Sequence, residues 1–403
     1  MTMEALLSDV RVLELGHIVS APSAGLILAE MGADVIKVER PDGGNQYRSR
    51  PEQSMFLAYN ATKRSMALNL KNQKGKEIFL QLVRKADIVV DNYAPGALDR
   101  LGLTYETMSK TNPGIIHCSI KGFLPGPNGA LPLLDEPAQM MGGLAYMTGP
   151  PGRPLRAGTS IIDMGAAMFG IMGVLAALHE RERTGCGRKI HVGLFETSVF
   201  FVARHMATAG VTGKCPPPMP ARGMAEDAGW TIYRIFLTRD QKMIFIAVTS
   251  DAHWERFCRE FQLDDLREDP SLRTSAGRGR QPINTLINER VDKIVRELLR
   301  DTLVERLGRC QIPFSPVNTP MDLFNDPHLR GRGHFFKATA PNGDSSELPS
   351  LPVTFDDWPG PVRLNPPTLG EHTSEIMADL GYSSDQIKSL IEEGAIGRVV
   401  PNL

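Results

Sequence analysis

Residues 10–40 read VRVLELGHIVSAPSAGLILAEMGADVIKVER, and the way they alternate decides the fold. VRVLEL is a short apolar, β-branched run, so residues 10–15 are read as a strand. A helix is predicted over 23–31, and DVIKVE gives a second strand over 34–39. Strand, helix and strand at this spacing form a βαβ unit, in which parallel strands are joined by a right-handed crossover. Such a unit binds dinucleotides when its first turn carries G-x-G-x-x-G. The matching positions here are Gly16, Ile18 and Ala21, so the glycines that let the backbone approach a pyrophosphate are missing. Neither a nicotinamide nor a flavin cofactor is expected. Arg40, directly after the second strand, has two readings: a guanidinium offered to a phosphate, or a solvated strand end.

The alternation continues outward from this unit. Helical signals at 74–85 and 104–111 flank strands at 87–90 and 114–120; a long helix spans 162–184 and a strand follows at 189–194. The expected fold class is therefore α/β, a Rossmann-like large domain with a parallel sheet. KCPPPMPARG, residues 214–223, reads as an extended linker. Beyond it come a predicted hairpin, 230–236 with 243–248, and helices at 252–261 and 283–309. Loops and short strands fill 314–366, and a helical pair at 374–380 and 384–393 closes the chain. The expected division is a large domain over 1–200, a linker over 201–229, a smaller α+β domain over 230–325, and a segment over 326–403 that returns to complete the large domain.

Composition narrows the function classes. Lysine plus arginine (45) nearly balances aspartate plus glutamate (46), which leaves no basic surplus for a nucleic-acid backbone. The five cysteines, Cys118, Cys186, Cys215, Cys258 and Cys310, form no C-x-x-C pair, and no two histidines stand four apart; no metal site is expected. The start of the chain carries two acids and no secretory pattern, and the apolar run 164–178 is shorter than the roughly 20 residues of a membrane span. That run is read as a buried helix. A cytoplasmic small-molecule enzyme that touches neither membrane nor nucleic acid is expected.

Asp163 stands at the head of that apolar run, within GTSIIDMGAAMFG, where Thr159 or Ser160 is placed to cap the helix. An acid in a first turn is ordinary helix-start chemistry. It is also a nucleophile that needs no general base, because a carboxyl titrating near about 3.9 is ionised at neutral pH. To attack a thioester it needs close orientation, stabilisation of the developing oxyanion and exclusion of water. The glycine-rich stretch 142–152, GGLAYMTGPPG, is either a source of backbone donors or a surface loop. Asn92 and Arg100 lie in DNYAPGALDRLG, at a strand end where parallel sheets bind ligands. They read equally as a turn asparagine and a surface arginine.

Taken together, VRVLELGHIVSAPSAGLILAEMGADVIKVERP, NATKRSMALNLK, DNYAPGALDRLG, CSIKGFLPGP, GTSIIDMGAAMFGIMGVLAALHERERTGCG, IPFSPVNTPMDLFNDPHL and LGEHTSEIMADLG resemble the family III CoA-transferases in order and spacing over nearly the whole chain. The resemblance implies a transfer of CoA from an acyl-CoA to a carboxylic acid. It implies Asp163 as the catalytic aspartate, Arg40, Asn92 and Arg100 as CoA-holding residues, and Leu68 to Lys71 as a strip lining the adenine pocket. It also implies an interlocked homodimer. The family's racemase branch has a histidine where this chain has Leu134, before Asp135, and leucine cannot carry a proton. Oxalate-using members have a glutamine at the place of Val19, and their glycine run has no clear match near 224–230. Arg48, Arg50, Arg153, Arg156 and Arg222 are candidates for binding the second carboxylate of a dicarboxylate such as succinate. Competing readings are an acyl-CoA racemase or isomerase and a non-catalytic CoA-binding subunit.

Overall fold

The computed structural model describes residues 5–48, 53–219, 230–356, 358, 360 and 363–397 of the chain. The chain divides into two compact units: residues 1–145, 156–213 and 331–403 form the first, and residues 146–155 and 214–330 the second.

The first unit is built on a six-stranded sheet of β1 (Arg11–Leu15), β2 (Asp34–Glu39), β3 (Arg64–Ala67), β4 (Ile88–Asp91), β5 (Ile116–Lys121) and β6 (Lys189–Gly193). Its order is β3-β2-β1-β4-β5-β6 and every pairing is parallel. This is the doubly wound order, with its switch point between β1 and β4. The helices of this unit that shape the site are α1 (Ser20–Glu30), α2 (Gln53–Asn60), α3 (Gln73–Lys85), α4 (Ala97–Leu101), α5 (Tyr105–Thr111), α6 (Asp135–Met141) and, after a short α7 (Leu144–Thr148), the long α8 (Ile161–Thr184).

Period-2 alternation along β1 sorts the core into two faces. Leu13 and Leu15 join Ile78, Phe79 and the C-terminal Ile376, Met377 and Leu390 on one side. Val12 joins Leu28 of α1 and Ala166, Ala167 and Val174 of α8 on the other. α8 lies flat on the sheet because its glycines allow it. A Cβ on Gly170 would come within 2.9 Å of Cys118 Sγ, and one on Gly165 within 2.6 Å of the Phe201 ring. The expectation of a buried helix over 164–178 holds for one face only. By length (24 residues) and hydropathy it would also suit a membrane, but one face is packed while Met168 and Met172 on the other are 50% and 64% exposed.

β3 was not legible as a strand, being four residues that begin with an arginine. It forms the sheet edge, and the C-terminal segment covers it. Thr373 Oγ1 accepts from the Ala67 N–H at 3.0 Å, the Gly397 N–H donates to the Ala67 carbonyl at 2.9 Å, and Leu68 bridges to Ile396. An edge closed this way offers no free ladder to a second chain.

In the second unit the expected hairpin, Tyr233–Leu237 with Met243–Ala247, gains a third antiparallel strand, Phe314–Pro316. The single helix expected over 283–309 is two, Ile283–Glu297 and Arg300–Arg309. Leu298 and Leu299 are extended between them, and Asp240 Oδ1 accepts from the Arg300 N–H at 3.0 Å to open the second helix. A side chain from a distant turn supplies that break, so local periodicity could not show it.

Candidate active site

The site forms at the switch point, from the ends of β1, β2, β4 and β5. Beneath it lies a buried ionic cluster. Glu14 shares its face of β1 with Val12 and is 0% exposed, so its carboxylate must find partners inside the protein. Lys37 Nζ donates to Glu14 Oε1 at 2.5 Å and Lys63 Nζ to Oε2 at 2.6 Å. Lys37 also holds the Gly16 carbonyl at 3.0 Å, and Lys63 the Pro22 carbonyl at 2.8 Å. Burial lowers the Lys63 ammonium to about 8, against the opposing pull of Glu14.

These bonds pin both sides of the turn from β1 to α1, in which Ile18 adopts φ +61. A β-branched residue in that region is strained and persists only when its surroundings over-determine it. Asn92, just past β4, supplies the rest of the restraint. Its Oδ1 accepts from the His17 N–H at 2.9 Å, and its Nδ2 donates to the His17 carbonyl at 2.7 Å and to Ser20 Oγ at 3.0 Å. The His17 and Tyr93 rings stack at 5.0 Å. Burial, then the Lys37 charge, lowers the His17 imidazole below its ordinary value. Asp91 is held from behind: burial would raise it, but the His117 hydrogen bond at 2.8 Å and the Lys121 ammonium bring it down to about 2.

Asp163 sits in the first turn of α8, half-buried. The expected cap from Thr159 or Ser160 is replaced. Ser160 stands at the N-cap without a side-chain bond, and the closing acceptor comes from α6. Asp135 Oδ2 takes the N–H of Ile162 at 2.7 Å and of Asp163 at 2.9 Å. Gln139 Nε2 donates to Asp135 Oδ1 at 2.5 Å, while Gln139 Oε1 accepts from the Ala157 N–H at 2.8 Å. Asp163 does not keep an ordinary carboxyl pKa. Burial, then the Asp135 charge, raises it to about 6, with a Ser20 hydrogen bond pulling the other way. At neutral pH the side chain is still mostly ionised. Burial, then the charges of Asp163 and Asp135, raises the Tyr59 hydroxyl.

One cavity of about 1260 Å³ brings these groups together. Its lining includes Asp163 and the residues expected to hold CoA: Arg40, Leu68, Lys71, Asn92 and Arg100. Arg40, Lys71 and Arg100 are exposed and have no ion-pair partner among the described residues. Arg40 Nε donates to the Gly44 carbonyl at 3.3 Å. Leu68 is buried and Asn92 is committed to the turn, so neither is a free donor. Leu134, before α6, also lines the cavity.

Other candidates are placed differently. Arg48 is spent on Glu39 (Nε to Oε2, 2.8 Å) and on the Pro367 carbonyl at 2.6 Å, and Arg156 pairs with Glu136 at 3.1 Å. Arg50, Arg222, the rest of the linker after residue 219 and most of 224–230 lie outside the described residues. In the glycine-rich stretch, Gly142 closes α6 and Gly143 turns with φ +83, and residues 142–145 do not line the cavity. Sequence reasoning missed Ser20, His17 and Tyr93; only the close approach of separate segments brings them to the cavity.

The chain belongs to CoA-transferase family III, whose model matches residues 7–373, and it is a CoA-transferase. It is 32% identical to the succinyl-CoA–L-malate CoA-transferase alpha subunit of Chloroflexus aurantiacus, over 95% of this chain and 91% of that one. It is also 32% identical to the succinyl-CoA:mesaconate CoA-transferase of Haloarcula marismortui, over 94% and 97%. Among solved structures, a CAIB/BAIF family protein from Brucella suis superposes with a TM-score of 0.83 at 28% identity, covering 94% of this chain and 100% of that one.

Proposed function

We propose that the enzyme moves CoA from an acyl-CoA to a free carboxylic acid through covalent intermediates on Asp163. The observation that carries this reading is the shared cavity, lined by a half-buried carboxylate and by three cations with no ion-pair partner among the described residues. The pyrophosphate and ribose phosphate of CoA suit Arg40, Lys71 and Arg100. Leu68 offers apolar wall to the adenine.

The Asp163 carboxylate attacks the thioester carbonyl, the C–S bond breaks, and CoA leaves as thiolate from an aspartyl–acyl anhydride. The thiolate attacks the aspartyl carbonyl, releasing the donor acid and leaving an aspartyl-CoA thioester. The acceptor carboxylate attacks that carbonyl and expels the thiolate, which then takes the acceptor acyl group and restores Asp163. Each step exchanges one activated acyl bond for another, so no external energy source enters. The first turn of α1, which no side chain closes, leaves backbone N–H groups for the developing oxyanion. The names of the Chloroflexus and Haloarcula relatives make succinate-like dicarboxylates the first acids to try.

The same reading includes a homodimer. Met168 and Met172 on α8 and Phe200 (65% exposed) on the helix Leu194–Phe201 leave apolar surface that a second copy would cover. Light scattering of the purified chain tests it, and a monomer at micromolar concentration removes it.

The covalent route is tested by incubating enzyme with acyl-CoA, quenching with hydroxylamine and mapping the adduct by mass spectrometry. A hydroxamate on Asp163, absent from Asp163→Ala, is expected together with loss of transfer. Full transfer by Asp163→Ala would sink the proposal.

A further inference from the structure

His17 and Tyr93 lie just past β1 and β4, the two strands that flank the switch point, and each is held through both of its backbone polar groups. Asn92 Oδ1 accepts from the His17 N–H at 2.9 Å, and Asn92 Nδ2 donates to the His17 carbonyl at 2.7 Å. Asp91 Oδ1 accepts from the Tyr93 N–H at 3.0 Å, and Lys121 Nζ donates to the Tyr93 carbonyl at 2.7 Å. With both residues fixed in this way, their rings stack at 5.0 Å with 23° between the planes. Both line the cavity, Tyr93 half-buried and His17 exposed. The His17 ring nitrogens make no hydrogen bond among the described residues. Desolvation, then the Lys37 charge, lowers the imidazole below its ordinary value, so at neutral pH it is uncharged. It then offers one N–H donor and one bare nitrogen acceptor, both unspent and held in a fixed orientation.

We infer that His17 is a substrate-binding residue whose imidazole holds an amide of the pantetheine arm of acyl-CoA. This rests on the cavity being the CoA site. An uncharged imidazole matches an amide, which also carries one donor and one acceptor, whereas a phosphate draws cations. β1 lies between β2 and β4 in the sheet, so the His17 turn stands between the strand ends that lead to Arg40 and to Arg100. The same turn opens α1, where Ser23 Oγ donates to the sulfur of Met164 at 3.1 Å, the residue after Asp163. The turn thus runs from the phosphate-side cations to the helix that carries the nucleophile. Pantetheine joins the phosphates of CoA to its thioester, so it has the same span to cross.

The test compares two ligands by calorimetry at neutral pH: CoA, and adenosine 3′,5′-bisphosphate, which keeps the nucleotide but lacks the pantetheine arm. Each is titrated into wild type, His17→Ala, His17→Asn and the alanine variants of Arg40, Lys71 and Arg100. His17→Ala is expected to bind CoA about three- to tenfold more weakly, the worth of one neutral hydrogen bond. It should bind the bisphosphate as tightly as wild type, which also shows that the variant is folded. His17→Asn keeps a donor and an acceptor and is expected to recover part of the loss. Arg40→Ala should weaken both ligands, because both carry phosphates. An unchanged CoA affinity in His17→Ala, or a loss of equal size for the two ligands, overturns the assignment. Failure of the underlying reading looks different: Arg40→Ala, Lys71→Ala and Arg100→Ala would all bind CoA like wild type, and this inference would fall with it.

Discussion

Asp135 Oδ2 lies on the backbone N–H of Asp163 at 2.9 Å, so one carboxylate caps the helix turn that carries the other. The two effects of this contact oppose each other. The cap satisfies donors that α8 would otherwise leave open, while the charge makes ionisation of Asp163 harder.

Transfer should therefore have an acid limb near pH 6 set by Asp163. Removing the Asp135 charge lowers the Asp163 pKa toward its ordinary value. In Asp135→Asn the limb is expected to move to lower pH, with a loss of about 1–2 kcal/mol in stability from the weakened cap. A pH–rate profile with chemical denaturation reads both. A limb that stays or rises contradicts the electrostatic assignment.

A carboxyl that titrates near 6 rather than at its ordinary 3.8 works against the fold once ionised, by about 3 kcal/mol. Between those values the folded protein binds more protons than the unfolded chain, so this penalty grows as pH rises from 4 to 6 and is complete above it. Asp163→Asn should thus be more stable than wild type at pH 7.5, by up to about 3 kcal/mol, and close to equal at pH 4. Calorimetric melting at both pH values checks this, and an advantage at pH 4 as large as at pH 7.5 would contradict it.

If Arg40, Lys71 and Arg100 hold the phosphates of CoA, removing one weakens substrate and transition state alike. Each alanine variant is expected to raise KM for acyl-CoA about tenfold with little change in kcat. Added salt should weaken wild-type binding more steeply than that of the variants. An unchanged KM in all three would separate these cations from CoA.

Glu14 joins two buried ammonium groups, and its loss leaves both uncompensated. Glu14→Gln should cost about 3–5 kcal/mol of stability. Gly25→Ala should act on the same cluster without touching its charges, since the added Cβ would come within 2.2 Å of Glu14 Oε2. A Gly25→Ala protein as stable as wild type would show that the cluster can shift to admit it.

How much was legible followed from the range of each interaction. The β-branched runs at residues 11–15, 34–39 and 88–91 are local, and with the right-handed crossover rule they imply a parallel sheet. β3 is too short and too polar to announce itself and is a strand because β2 pairs with it. Asp163 was visible as an acid heading an apolar helix, yet its raised pKa was not, since burial and Asp135 belong to tertiary packing. Arg48 read as a free cation until Glu39, nine residues earlier, folded back onto it. Ser20 carries no signal at all without Asn92 beside it.

A helix whose first turn is fastened by a neighbour has a removable latch. Leu134, 63% exposed on the cavity wall, is the residue directly before that latch. One side chain, Asp135, therefore sets both the anchoring of the start of α8 and the charge that Asp163 must ionise against.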